Sequence, residues 1–590
     1  MLYTADFETC TKRPGDETSA KVWAWAVCDI ENPDDFKIDT DMQSFFEWIF
    51  EHPGKCYFHN LKYDGHYIVD YLFKHGWEFT SSSPKRTKQF TCMISRLGQW
   101  YSITLRAWCK TQKKSVLIKI QDSLKLLPIS VKQVAKAFDL DEGKGELDYK
   151  KWRPDGHKLT DEERDYIRRD VQIMARALNI CVVQEGMSKL TIGGNAMASW
   201  KKGIGKNWRS ICPKLGNICD TQIRQAYRGG FTYCMPEFRD VDIYDGISVD
   251  FNSMYPSMMI SKAFPYGEPI PFEGEYEPDI FHPLYVQRML VSWKLRPNGI
   301  PFLKPSTNGI FDDHEYPEEV EEPVDLWISS VDFELMKMMY EIDIWEFRGG
   351  WKFCAMPGVR LFGEYVSYWG KKKQESTGPR RLIAKLYLNN LYGKFATRPD
   401  PITKMPALID EQQRVAMVDS NRYPAKDTET GEMKTVDMST RPPEPVYIPI
   451  AVFCTAWARD TLLRAAMANR DRFVYCDTDS MHLLGTDEPK DIPIDDNKLC
   501  FWKVEGRFKH ARHLRAKTYI WDLNGELEVV CAGMPDNIKE HVTWDNFHEG
   551  FSNCDENGNV IPGWGKLLSR TVDGGVLLYE GKFEIKGDLV

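Results

Sequence analysis

Two aspartates one residue apart, Asp477 and Asp479 in the segment YCDTDS (475–480), follow the apolar approach Phe473, Val474 and Tyr475. Alternate side chains of extended backbone share a face, so both carboxylates should project from one side of a strand or tight hairpin, with Val474, Cys476 and Thr478 on the other. Crowded carboxylates ionise together only where a cation neutralises them. Hard oxygen ligands of this kind suit Mg²⁺, with Mn²⁺ able to substitute. A lone DxD is more often a polar turn, so a metal site needs a third carboxylate in a similar setting. Asp250, reached through Ile247 and Val249 in GISVDFNSMYP, supplies it.

A second acidic constellation lies near the N-terminus. Asp6 and Glu8 in LYTADFETC are two apart on a buried-strand pattern and so share a face. Asn60 and Asp64 flank a turn into an apolar helix in FHNLKYDGHYIVDYL. In LTDEERDYIRRDVQIMARAL, Thr160 and Glu163 form a capping box, and Tyr166 and Asp170 are four apart on one helical face. Solvated acids explain the start of that helix, but Asp170 is flanked by Ile167, Val171 and Met174. Asp6, Glu8, Asp64 and Asp170 can therefore meet, hold two divalent ions about 3.5–4 Å apart and clamp an in-line attack on phosphorus. Tyr166 could position the attacking water.

The remaining elements supply cations and glycines. AYRGGFTY places Tyr227, Arg228, Gly229 and Gly230 at a turn, where backbone N–H groups and Arg could hold phosphate. Gly193 and Gly194 suggest a flexible entry before it, and Pro256 should end the strand that carries Asp250. The stretch KKKQESTGPRRLIAKLYLNNLYGKFA carries Lys371, Lys372, Lys373, Arg380, Arg381 and Lys385 against one local acid, Glu375. Arg381, Lys385 and Asn389 recur on one helical face that could grip a triphosphate. FCTAWARDTLLRAAMANRD reads as a helix with Thr455 and Arg459 on one face, and GGVLLYEGKFEIKG as a terminal hairpin. Residues 262–360 lack a catalytic constellation, and 398–446 read as a polar, flexible loop.

The chain has 590 residues, 42% of them hydrophobic, enough for about four domains at ~150 residues each. Mean hydropathy is -0.46, no apolar run approaches the ~18 residues that span a bilayer, and MLYTADFETC lacks the basic start and apolar core of a signal peptide. Fifteen cysteines, without a CxxC pair, argue against zinc and against a disulfide framework and suit a reducing interior. A net charge of -9 counts mildly against a nucleic-acid partner, but a basic groove can sit in an acidic protein.

Taken in order, these motifs resemble those of the family-B DNA polymerases. D-x-E, N-x-x-x-D and Y-x-x-x-D are similar to the three exonuclease motifs of the proofreading enzymes. The resemblance implies that Thr9, His59, Asn60, Tyr63, Ser123 and Leu124 bind the primer end and that Lys144 assists the exonuclease. YRGG resembles the YxGG/A motif that handles template between the two activities. DxxSxYP resembles motif A, which assigns metal binding to Asp250, triphosphate contact to Ser253 and the floor of the incoming sugar to Tyr255. The helix around Lys385 resembles motif B, which implies that Lys373, Arg381 and Lys385 hold nucleotide phosphates and that Tyr392 packs on the nascent base pair. Thr455 and Arg459 resemble the Tx2GR/AR primer motif, YCDTDS motif C with Asp477 auxiliary to Asp479, and Lys517 and Tyr519 the KxY motif of the primer end.

The long stretches at 262–360 and 398–446 resemble the two terminal-protein regions of the protein-primed subgroup found in small linear-genome phages, the phi-29 type. What this implies is an α+β multidomain chain. An RNase H-like 3′→5′ exonuclease (1–190) would precede a right-hand polymerase: palm (191–261 and 447–530), fingers (361–397) and thumb (531–590), with the two insertions between. Expected partners are template-primer DNA, dNTPs, a terminal protein as primer and a phage single-stranded DNA-binding protein. The chain would otherwise be a monomer, off the membrane, in the cytoplasm of an infected bacterial host, and would displace the strand ahead of it. The rival readings are a family-B replicase using nucleic-acid primers only and a non-catalytic DNA-binding scaffold.

Overall fold

The computed structural model describes residues 1–13, 16–140, 147, 151–305, 316–400, 402–409, 414–426, 433–439, 446–523, 525–572 and 575–586. Two large sheets carry the two acidic constellations. The first has eight strands, with Leu2–Arg13 inside it, antiparallel to Asp16–Asp29 and parallel to Lys55–Phe58. Asp6 and Glu8 lie opposite Ala26 and Ala24, and these small partners leave room for two carboxylates on a covered face. That face is covered by the helix Asp161–Leu178, which packs on both strands. Its capping box is present: Glu163 N–H donates to Thr160 Oγ1 at 3.2 Å, and Thr160 N–H to Glu163 Oε2 at 3.1 Å. The helix Leu61–Lys74 packs so close to this sheet that a Cβ on Gly65 would lie 2.6 Å from the Trp100 ring.

The second sheet has seven strands, in the order Glu526–Cys531, Thr518–Leu523, Trp502–Arg515, Asp242–Phe251, Ser480–Leu484, Phe473–Asp477 and Thr232–Cys234. Ile247, Val249, Phe473, Cys476, Met481 and Leu483 are buried in it. Behind it runs the nearly all-buried helix Pro449–Ala468. Helices Gly358–Glu375 and Gly378–Phe395 form an antiparallel pair above the sheet end. Residues 262–360 build a four-stranded sheet and the helix Ser330–Met339.

Four local expectations change. Gly193 and Gly194 are not a flexible entry. They open the helix Ile192–Ile204, where Thr191 Oγ1 caps the Gly194 N–H at 3.0 Å. The strand carrying Asp250 stops at Phe251, and Pro256 lies in the first turn of the helix Met254–Ser261, a position a missing N–H tolerates. Residues 398–446 are not a plain loop. Their described parts form two hairpins, Lys404–Leu408 with Val415–Asp419 and Tyr423–Lys426 with Met433–Val436. The first hairpin lies against strand Gln89–Ile94, and Tyr423 stacks on Phe79 at 5.9 Å. The C-terminal hairpin, Lys566–Val572 with Gly575–Gly581, starts earlier than its GGVLL turn suggests and lies against Asp16–Asp29 and Leu61–Lys74.

Candidate active sites

In the first sheet, ligand oxygens of Asp6, Glu8 and Asp170 all lie within 4.8 Å of one another. Asp64 joins them from the helix Leu61–Lys74. Burial first, then the Asp6 charge, holds its carboxyl well above the usual carboxylate range. Asp64 Oδ1 is buried and has no hydrogen-bond partner among the described residues. Three crowded carboxylates and a fourth acid with one buried oxygen left unbonded form a donor set that fits divalent cations. Tyr166 is buried one turn before Asp170 on the same helix.

Around this cluster, Thr9 Oγ1 and the Tyr63 hydroxyl are hydrogen-bonded. His59 Nδ1 lies 3.0 Å from Ser123 Oγ, and its Nε2 lies 2.8 Å from the Ile129 carbonyl. Asn60 is exposed in a left-handed conformation, φ 75°. Its N–H donates to Asp122 Oδ1 at 3.0 Å, and the same oxygen accepts from the Leu124 N–H at 3.0 Å. Asp122 therefore joins two loops that carry expected primer contacts. Sequence reasoning missed it, although an acid directly before Ser123 and Leu124 has the form of an Asx turn. Lys144 lies outside the described residues.

The second site is a hairpin. Strands Phe473–Asp477 and Ser480–Leu484 are joined by the two-residue turn Thr478–Asp479, with Thr478 at φ 58°. The two aspartates are brought together by that turn rather than by strand alternation, which ends at Asp477. Asp250 pairs in register with Ser480, and the Phe251 N–H donates to the Asp479 carbonyl at 2.7 Å. Burial, then Asp250 and Asp477, pushes the Asp479 carboxyl up to about 7. Burial also raises Asp250, against the pull of Lys503, whose Nζ is 3.3 Å from Asp250 Oδ1. Two raised carboxyls side by side form a donor set that a divalent cation would stabilise in its ionised form. Asp477 is held aside: Oδ1 accepts from Thr232 Oγ1 and Thr478 Oγ1, each at 2.9 Å, and pairs with Lys517 Nζ at 3.3 Å.

Cations converge over Asp250. Lys373 Nζ donates to Ser253 Oγ at 3.3 Å, and Arg381 Nη1 to the Lys373 carbonyl at 3.1 Å. Ser253 is left-handed at φ 51°, which turns the chain from strand into helix. Burial, then Lys385 and Arg381, lowers the Lys373 ammonium. Arg381, Lys385 and Asn389 are exposed along one face of their helix. Glu375 is not the only acid against the basic stretch, because Glu185 pairs with Lys372 and with Arg380, the latter at 3.4 Å. Tyr255 and Tyr392 stack at 3.7 Å. Burial raises the neighbouring Tyr227 hydroxyl to about 12, with Tyr392 adding to the effect.

Gly229 and Gly230 are exposed, and a Cβ on Gly230 would lie 2.7 Å from Thr478 Oγ1 and 3.2 Å from the Tyr255 hydroxyl. A cavity of 380 Å³ beside this turn is lined by Gly230, Arg239, Lys304, Arg515 and Lys517. Lys517 is left-handed at φ 58°, with its N–H donating to the Tyr475 hydroxyl at 3.1 Å. Tyr519 packs on the rings of Tyr475 and His513.

Thr455 and Arg459 do not face this surface. Thr455 is fully buried and bonds back to the carbonyls of Ala451 and Val452. Arg459, 3% exposed, clamps Asp332 through Nε at 2.9 Å and Nη2 at 2.8 Å. Its Nη1 donates to the Arg228 and Gly229 carbonyls at 2.7 and 2.6 Å. The stretch 262–360, which shows no catalytic constellation in sequence, thus supplies the acid that positions the YRGG turn. Asp332 sits between Val331 and Phe333 and reads as a core position. Lys503 was missed because only strand register brings it to Asp250.

A family model described as DNA polymerase type B, organellar and viral, matches residues 49–159 and 146–497. The DNA polymerase of Bacillus phage M2 is 39% identical over 608 residues, covering 99% of both chains. That of Bacillus phage phi29 is also 39% identical, over 610 residues with 99% of each covered. The fold matches phi29 DNA polymerase complexed with primer-template DNA and incoming nucleotide substrates, with a TM-score of 0.86 and 38% identity, covering 99% of this chain and 100% of that one.

Proposed function

The chain belongs to the type B DNA polymerases of the phi29 type and is a DNA-directed DNA polymerase, and from that premise we propose that it extends a protein primer on a linear phage genome, displaces the strand ahead and proofreads. The carrying observation is that Asp250, on a strand, and Asp479, in a hairpin turn far from it in sequence, meet under a row of cations.

Asp250 and Asp479 would hold divalent ions, for which Mg²⁺ is the proposed species. Bound there, Mg²⁺ supplies the charge that acidifies a primer 3′-hydroxyl and supports departing pyrophosphate. Lys373, Arg381 and Lys385 bind the triphosphate, and Ser253 orients it. Tyr255 lies under the sugar, where its ring excludes a 2′-hydroxyl, and Tyr392 stacks beside it against the new base pair. Lys517 neutralises Asp477 and steadies the primer end with Tyr519. The YRGG turn offers backbone N–H groups to a strand, and the adjoining basic cavity suits its phosphates. Arg459 acts on the primer indirectly, by fixing that turn from behind, and Thr455 lies buried one turn before it on the same helix.

Asp6, Glu8, Asp64 and Asp170 would hold the ions of a 3′→5′ exonuclease. Tyr166 orients water, and Thr9, His59, Asn60, Tyr63, Ser123 and Leu124 hold the frayed end, with Lys144 assisting. The domain limits at 190, 261, 360, 397, 446 and 530 complete this reading. The sheet at 262–360 and the hairpins at 398–446 are the surfaces for terminal protein and DNA. The proposed setting is the cytoplasm of an infected bacterium, with a single-stranded DNA-binding protein as a further partner. Among the described residues no helix is long and apolar enough to cross a membrane.

The test pairs two variants. Asp250→Ala should abolish synthesis and keep exonuclease activity, and Asp6→Ala with Glu8→Ala should do the reverse. Labelled dNMP should become linked to terminal protein when the parent chain is supplied, and should not when the Asp250→Ala variant replaces it. Loss of both activities together in either variant would refute separate sites.

A further inference from the structure

Lys503 stands on the strand Trp502–Arg515, paired in register with Asp250. Its ammonium lies 3.3 Å from Asp250 Oδ1, with side-chain exposures of 37% and 23% for the two residues. After burial, Lys503 is the strongest influence on the Asp250 carboxyl, ahead of Lys385 and Lys373. It also acts on the Lys373 ammonium, which rests on Ser253. Asp250 thus lies between a lysine of the sheet and the cations of the helix pair.

A divalent ion on Asp250 and an ammonium on the same carboxylate oxygen cannot coexist, because like charges at that separation repel strongly in a half-buried site. The lysine must leave. Its backbone is fixed by strand pairing, but its four-carbon stem is flexible and partly solvated. Within the same field stand the residues proposed to bind the triphosphate. An ordinary surface ion pair would contribute little and affect nothing else; this one occupies the position a metal needs.

We propose that Lys503 is an exchangeable counter-ion, pairing with Asp250 before metal binds and moving to the phosphates of the incoming nucleotide when metal displaces it. It is a positioning residue in the first state and a fourth phosphate-binding cation, beside Lys373, Arg381 and Lys385, in the second. This rests on the assignment of metal to Asp250 and Asp479.

The test uses the full chain carrying Asp6→Ala and Glu8→Ala, to weaken metal binding at the other site. Mn²⁺ is titrated without DNA or nucleotide and read by the electron paramagnetic resonance signal of free ion. Lys503→Met should bind the Asp250-dependent Mn²⁺ about tenfold more tightly, equivalent to about 1.4 kcal/mol, and Lys503→Arg should bind it as the parent does. In single-nucleotide insertion at saturating Mg²⁺, Lys503→Met should raise the dNTP KM about tenfold with kcat within about threefold, and Lys503→Arg should restore KM. Unchanged Mn²⁺ affinity or unchanged KM in Lys503→Met overturns the proposal, provided Asp250→Ala abolishes that Mn²⁺ binding. If Asp250→Ala leaves Mn²⁺ binding intact, the metal assignment itself fails, and this proposal with it.

Discussion

Replacing Arg459 by Met separates a buried brace from a phosphate contact. The guanidinium makes two hydrogen bonds to Asp332 and two to the carbonyls of Arg228 and Gly229. Asp332 is fully buried; burial alone would raise its carboxyl, but the Arg459 charge and hydrogen bonds, with Arg228 and Ser329, together hold it below the usual range. Removing the arginine strands that charge and frees the turn, which should cost about 3–5 kcal/mol. Arg459→Met together with Asp332→Leu should recover part of the loss but not all of it, since the stranded carboxylate is gone while the buried Arg228 loses the acid nearest to it. Stability is read from urea midpoints, and affinity for primer-template from titrations at several salt concentrations. A phosphate contact contributes about 0.9 to the slope of log affinity against log salt. Because Arg459 faces inward, Arg459→Met should weaken binding at every salt concentration with the slope unchanged. A slope lower by about one unit with stability intact would instead place Arg459 on a DNA phosphate.

Asp479→Asn should abolish synthesis yet stabilise the metal-free protein at pH 8. The folded carboxyl titrates near 7 against an ordinary value of 3.8, so the stability that its proton confers is present at low pH and is lost as pH rises between those values. Discounted for partial exposure, wild type in chelator should lose about 1–2 kcal/mol more than Asp479→Asn between pH 5 and pH 8, and parallel unfolding curves would count against this. Gly230→Ala forces a Cβ toward Thr478 and Tyr255. It should slow nucleotide insertion roughly 10- to 100-fold through misplacement of the Asp479 turn and leave degradation of single strands unaltered.

Much of both acidic clusters was legible because each carboxylate sits in a local pattern with a physical meaning. Strand alternation pairs Asp6 with Glu8, helical spacing pairs Tyr166 with Asp170, and the Thr160 capping box is visible as Thr-x-x-Glu. What was not legible depends on partners remote in sequence. Arg459 reads as a surface cation on a helix until Asp332, 127 residues away, turns it inward. Lys503 gains its meaning only from the register of two strands. The two hairpins within 398–446 are short and carry polar residues among Met405, Ala407, Val415 and Met417, so their period of two is faint. The turn at Thr478 breaks the alternation that YCDTDS suggests, because a non-glycine residue adopts a positive φ there.

Synthesis depends on metal binding where strand Asp242–Phe251 meets the hairpin turn. Crystals of the full chain with primer-template and a non-hydrolysable nucleotide, grown in Mn²⁺, would show it directly in an anomalous difference map. Anomalous peaks at the Asp250 and Asp479 carboxylates beside the nucleotide phosphates are predicted, with separate density among Asp6, Glu8, Asp64 and Asp170. A map with nucleotide bound and no peak at Asp250 and Asp479 would contradict it.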